Sequence, residues 1–134
     1  MATKYVVDAH ALVWYLEDNP RLGKNAKVVL GDRASELVLP IVALAEACWV
    51  VEKGRSKIPS VTQLVADVEG DSRIAIVPID KATLVHSLQL TQLEEMHDRW
   101  IVATAVRMVQ SGVDLAILTK DENIHNSGFV RIVW

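Results

Sequence analysis

The stretch LVLPIVALAEACWVV at positions 37–51 constrains the fold most, because it holds a single charge, Glu46, in an otherwise apolar run. Its opening Leu-Val-Leu reads as a short buried strand. Pro40 suits the first turn of a helix, where no amide hydrogen is needed, and that helix is expected from Ile41 to about Gly54. On it, Val42 and Val50 lie four positions from Glu46, and Ala43 and Trp49 lie three away. These are its neighbours on a helix surface, and all are apolar. An ionised carboxylate left there without a partner costs several kcal/mol. Three outcomes are open: Glu46 escapes to solvent at a rim, pairs with a base, or holds a cation. The stretch contains no Lys or Arg to serve as the base.

A chain of 134 residues, 51% hydrophobic, makes one domain over 1–134 with a substantial core. Its net charge of −3 gives no general nucleic-acid footprint, so any such contact needs a local basic patch or a metal. The lone Cys48 sits in the apolar helix and excludes a disulfide framework within the chain. The opening MATKYVVDAH has no signal-peptide core, and the longest apolar run is too short to span a bilayer. A cytoplasmic protein with no membrane partner is expected.

In chain order, 5–7 reads as a buried strand ending at Asp8, with a helix over 9–17 stopped before Pro20. A second helix covers 25–34, and the strand 37–39 and helix 41–53 follow. Ser60 caps a helix over 61–68. Positions 73–79 form a strand, Asp80 opens a helix to about Leu90, and 91–96 is a polar break. The longest amphipathic helix runs over 98–110 with Gly112 as its stop. Strands at 115–118 and 130–133 close the chain. Strand and helix in alternation imply an α/β fold, a parallel sheet covered by helices on both faces. Ligands of such folds bind beyond the carboxyl ends of the strands.

Four acids from four separate elements are placed at or near that edge. Asp8 ends the first strand and Asp121 follows the fourth. Asp98 shares a stripe with Ile101, Val102 and Ala105, so it faces inward, and Glu46 lies on its apolar helix. Asp8, Asp98 and Asp121 also stand where a helix N-cap is favoured, and Asp80 occupies the same kind of position with no functional role attached. Capping does not account for Glu46, nor for the inward stripe of Asp98. Two carboxylates about 4 Å apart repel by about 4 kcal/mol at an effective dielectric near 20, so a cluster needs protons or a cation. Oxygen ligands without a His/Cys pattern select Mg²⁺ or Mn²⁺ over zinc. Such an ion on carboxylates is a standard means of cleaving a phosphodiester.

The ordered set VVDAHALVWYLED, ALAEACWV, HDRWIVATAV and LTKDENI resembles the PIN-domain ribonucleases, and more narrowly the VapC-type toxins of type II toxin–antitoxin pairs. The resemblance spans nearly the whole chain. It implies a three-layer α/β/α sandwich with five parallel strands ordered 3-2-1-4-5. It also implies a metal-dependent endoribonuclease acting on RNA, a homodimer, and a cognate antitoxin protein. Asp8, Glu46, Asp98 and Asp121 become ligands of Mg²⁺ or Mn²⁺, directly or through water, and the Thr119 hydroxyl orients that site. Met96-His97-Asp98-Arg99 departs from the family's usual Pro-Phe-Asp-Arg, which leaves the local loop geometry open. Glu94 and Glu95 stand apart from the set because the polar break precedes Asp98.

For RNA, Arg99 and Lys120 adjoin Asp98 and Asp121, and His10 adjoins Asp8, as candidate contacts. His97 is an equivalent neighbour of Asp98. Lys53, Arg55 and Lys57 form a basic cluster after the Glu46 helix, for which solvated surface charge is the default reading. Trp14 and Trp49 fall on helices and suit the core, and a helix apolar all round, as 41–51 nearly is, must be buried by something, a partner subunit or antitoxin helix included. Two rival functions remain. A receiver-like phosphoacceptor domain would use Asp80 and Thr119, but lacks the acidic pair at the first strand's end and gives Glu46 no role. A catalytically idle PIN-fold module binding RNA or protein would have no use for the complete acidic set.

Overall fold

In the computed structural model, which describes residues 3–134, five strands alternate with seven helices. Met1 and Ala2, which open the segment read for a signal peptide, lie outside the described residues. The order is β1 (Lys4–Val7), α1 (Ala9–Leu16), α2 (Lys24–Gly31), β2 (Glu36–Pro40), α3 (Ile41–Glu52), α4 (Val61–Glu69) and β3 (Ile74–Val77). It continues with α5 (Lys81–Ser87), α6 (Met96–Gln110), β4 (Leu115–Leu118), α7 (Glu122–Ser127) and β5 (Arg131–Val133).

The sheet is parallel throughout and ordered β3-β2-β1-β4-β5, as the resemblance implied. The central strands are apolar on both faces: Val6, Val7, Leu37, Val38, Leu39 and all of β4 are buried. That is the signature of a sheet covered on both sides. Right-handed connections put the helices between β1, β2 and β3 on one face. When the chain returns from β3 to β4, they put the following helices on the other. The reversal leaves a crevice beyond the carboxyl ends of β1 and β4, the position where doubly wound sheets bind ligands. α1 packs on α3, and α3 meets α6, so both helical layers approach that crevice.

Several boundaries differ from the sequence reading. Pro40 is the last residue of β2 and the N-cap of α3 (φ −59°, ψ 139°), not part of the first helical turn. Its ring fixes a φ that suits both roles. α6 begins at Met96, so Asp98 lies inside its first turn and does not cap it. α5 ends at Ser87 rather than Leu90, α2 spans Lys24–Gly31 rather than 25–34, and β3 keeps only Ile74–Val77. The sequence reading allowed a helix start at Asp121 but gave the short α7 no range. Gly112, at φ +88°, adopts the left-handed conformation expected of a helix stop.

Candidate active site

β1 delivers Asp8 to the crevice, where it caps α1 and is only 7% exposed. One of its carboxylate oxygens, Oδ1, accepts from the Ala9 N–H at 2.7 Å, and Oδ2 accepts from the Thr119 hydroxyl at 2.6 Å. The Asp8 N–H in turn donates to the carbonyl of Leu118 at 3.1 Å, which ties the ends of β1 and β4 together. Thr119 is fully buried. Its Oγ1 also accepts from the Asp121 N–H at 3.0 Å, so one hydroxyl fixes both the Asp8 side chain and the Asp121 backbone. Burial raises the Asp8 pKa above the ordinary carboxylate value, and the Thr119 and Ala9 hydrogen bonds offset part of that rise.

Asp121 caps α7, its Oδ1 accepting from the N–H groups of Asn123 (2.8 Å) and Ile124 (3.2 Å). The capping account given for Asp8 and Asp121 therefore holds, but it does not use up their charge. Asp98 projects from the first turn of α6 and is 9% exposed. Its pKa is pushed up to about 7, first by burial and then by the carboxylates of Asp121, Asp8, Glu95 and Glu46. Glu46 is half-buried on α3. Burial raises its pKa, the Asp8 carboxylate raises it further, and His97 pulls it back in part. Of the three outcomes open for Glu46, pairing with an arginine is not the one taken. Among the described residues, ion pairs engage Asp18, Asp71, Asp80 and Asp114, and none engages the four candidate acids.

The four acids thus come from β1, α3, α6 and the β4–α7 junction into one another's electrostatic field without a neutralising cation. Among the described residues, however, no three His, Cys, Asp or Glu side chains approach closely enough to enclose an ion by themselves. Mg²⁺ keeps several waters and binds through one or two carboxylates plus substrate phosphate. Asp8, Glu46 and Asp98, carboxylates held against ionisation first by burial, present the chemistry that a divalent cation relieves.

The neighbouring residues divide. His10 is half-buried beside Asp8, with its ring edge-on to Trp14 at 5.4 Å, and burial lowers its pKa. Lys120 is exposed and lays its Nζ 4.9 Å from the centre of the Trp14 ring, close enough to act on His10. His97 packs edge-on to Trp100 and lines a groove with Glu46. Arg99 is half-buried in the first turns of α6. Its Nε donates to the Leu93 carbonyl, and it lines a separate groove with Leu84, Leu88 and Trp100. Successive helical residues diverge by about 100°, so an inward Asp98 sends Arg99 to another face. The expected RNA contact Arg99 thus lines a different groove from the one that holds Glu46.

Two contributors escaped the sequence. His125, on α7, makes a 2.7 Å hydrogen bond between its Nε2 and the Thr119 carbonyl, holding the residue that holds Asp8. It sits on a helix too short to show periodicity. Glu95 is the N-cap of α6 with no side-chain capping bond, and its charge acts on both Asp98 and Glu46. Its adjacency to the acid set was visible, but the helix start at Met96 was not.

A model of the PIN domain matches residues 5–130 of the chain. No curated protein matches by sequence. Solved structures share the fold across almost the full length. DNA-bound VapBC from Salmonella typhimurium is 17% identical with a TM-score of 0.68, covering 97% of this chain and 96% of that one. VapC20 from Mycobacterium tuberculosis, a sarcin-ricin-loop-cleaving toxin, is 12% identical with a TM-score of 0.71, covering 98% and 100%. VapBC2 from Rickettsia felis, bound to a promoter DNA fragment, is 14% identical with a TM-score of 0.68, covering 97% of each chain. At these identities the likeness is one of fold.

Proposed function

The chain belongs to the PIN domain family, and from that premise we propose that it is a Mg²⁺- or Mn²⁺-dependent endoribonuclease, the toxin of a toxin–antitoxin pair. The observation that carries this reading is Asp98, a carboxylate with its pKa pushed up to about 7 among other acids and no cationic partner. Asp8 and Asp98 would hold the ion, with Glu46 and Asp121 adding to the negative field. When bound, it orients the scissile phosphate, acidifies the attacking water and stabilises the leaving oxygen.

The chain's own residues do the rest. Thr119 fixes the Asp8 carboxylate through its Oδ2 and keeps Asp121 in register. Glu46, half-buried at the groove with a raised pKa, is suited to take a proton from an attacking water at its carboxylate. Lys120 and His10 stand beside the crevice for phosphate and sugar contacts.

The receiver-like reading is weakened by topology. Asp80 follows the edge strand β3, caps α5 through the Thr83 N–H and pairs with Arg107 at 2.8 Å, two strands away from Asp8. The idle-module reading leaves the cost of the gathered acids unexplained. The VapBC neighbours support an antitoxin partner. Exposed Leu84 and Val85 on α5, Leu88 at its C-cap and Met96 at the head of α6 offer apolar surface that an antitoxin or a second copy would cover. No helix among the described residues is long and apolar enough to cross a membrane.

The test is incubation of purified protein with structured RNA and Mg²⁺ or Mn²⁺, beside a chelator control and the variants Asp8→Asn and Asp98→Asn. Cleavage by the parent protein alone, leaving a 5′-phosphate, is the expected result. Cleavage that persists in chelator and in both variants would remove the reading.

A further inference from the structure

Trp49 lies three residues beyond Glu46 on α3, on the same surface of the helix. It is 48% exposed, although the indole is among the most apolar groups a chain can carry. With Val42, Ala45, Glu46 and His97 it lines an open groove, so one of the four candidate acids, Glu46, stands in the same groove. Two cations stand against its ring. The Lys53 Nζ is 5.7 Å from the ring centre and the Arg55 Cζ is 5.2 Å away. Both side chains are exposed, and neither enters an ion pair among the described residues.

These features make one surface: an aromatic ring with two mobile-stemmed cations over it and a carboxylate in the same groove. A molecule with net charge −3 has no general attraction for a polyanion, so the basic charge here is local. A purely apolar partner helix would use the ring and leave the cations without counterions. Single-stranded RNA uses both, because its unstacked bases lie on aromatic faces while phosphates meet Lys and Arg. The groove also holds Glu46, so a strand lying in it meets one of the four acids.

We propose that Trp49 is a stacking platform for a base of a single-stranded RNA bound beside the acidic crevice, with Lys53 and Arg55 holding the adjacent phosphates. The proposal rests on RNA being the substrate, and it assigns the substrate's path and its single-stranded character. Arg55 is suited to the role because its guanidinium can stack on a base as well as pair with phosphate.

The test is fluorescence anisotropy of a short labelled single-stranded RNA, with Ca²⁺ replacing Mg²⁺ to hold back cleavage. Trp49→Ala is expected to weaken binding about tenfold, while Trp49→Phe, which keeps an aromatic face, stays near the parent. An abasic strand of equal length should bind the parent and Trp49→Ala alike. Lys53→Ala and Arg55→Ala should each weaken binding of both strands and flatten its dependence on salt. Under cleavage conditions Trp49→Ala should raise KM with kcat nearly unchanged. No binding by the parent protein, or equal affinity in Trp49→Ala, overturns the proposal and hands the groove to a protein partner. Failure of the ribonuclease reading looks different: the parent does not cut, yet its RNA affinity still depends on Trp49.

Discussion

Asp98 is the residue at which function and stability pull apart. Its pKa stands at about 7 in the fold against an ordinary 3.8. Below the lower value the carboxyl is protonated whether the chain is folded or not. Between the two, the folded state keeps a proton that the unfolded state has lost, so stability falls as pH rises and levels off above about 7. Asp98→Asn removes that loss. Without metal, the variant should melt at a higher temperature than the parent at pH 8 and show little gain at pH 4, while losing cleavage. A gain of equal size at both pH values would refute the assignment. Thr119 works the opposite way. Thr119→Val takes the donor from a buried carboxylate and should cost roughly 1–3 kcal/mol in denaturant melts together with most of the activity, whereas Thr119→Ser keeps the bond. The inward face of Asp98 was legible from its spacing to Ile101, Val102 and Ala105. The Thr119 role came only through family resemblance, and the His125 bond to Thr119 left no trace, because a residue that acts on a carbonyl six positions back belongs to no sequence pattern.

At the scale of elements, Asp8 and Asp80 show what a sequence leaves ambiguous. Each follows a strand and caps the next helix, and the two look alike on paper. Tertiary partners separate them. Hydrogen bonds from the Thr83 N–H and hydroxyl, joined by Arg107 reaching across from α6, hold the Asp80 carboxyl down at about 2, whereas Asp8 is buried among hydrogen-bond donors, His10 and other acids, with no arginine paired to it. Asp80→Ala should therefore loosen α5 on α6 and lower the melting temperature with the cleavage rate unchanged, a readout that Asp8→Ala reverses. A fall in cleavage by Asp80→Ala at a temperature where it remains folded would count against this division. The long, periodic α6 was readable apart from its first two residues. The segment ENIHNS of α7 offers a single buried apolar side chain, Ile124, and so carries no helical period. β3 shrank because its middle residues, Ala75 and Ile76, are exposed on an edge strand, where burial does not enforce alternation.

The whole molecule brings the acids together by topology rather than by local preference. Asp8 and Asp121 are 113 positions apart in the chain (121 − 8), yet β1 and β4 are direct neighbours, and α3 and α6 supply Glu46 and Asp98 from their contact above the sheet. The alternation of strands and helices made the carboxyl edge legible. The strand order that makes β1 and β4 adjacent came from the family resemblance, since no local pattern encodes which strands pair. A fold that gathers uncompensated acids stores instability that an ion binding only the native state returns. At a hundredfold excess over its dissociation constant, such an ion stabilises by about 2.7 kcal/mol. Mg²⁺ and Mn²⁺ compete with the proton on Asp98, so the rise in melting temperature on adding metal should be larger at pH 8 than at pH 5.5. Asp8→Asn and Asp98→Asn should abolish it, and EDTA should reverse it in the parent. A shift of the same size at both pH values, or one that survives in both variants, would place the ion elsewhere on the protein and leave the gathered carboxylates without their counter-charge.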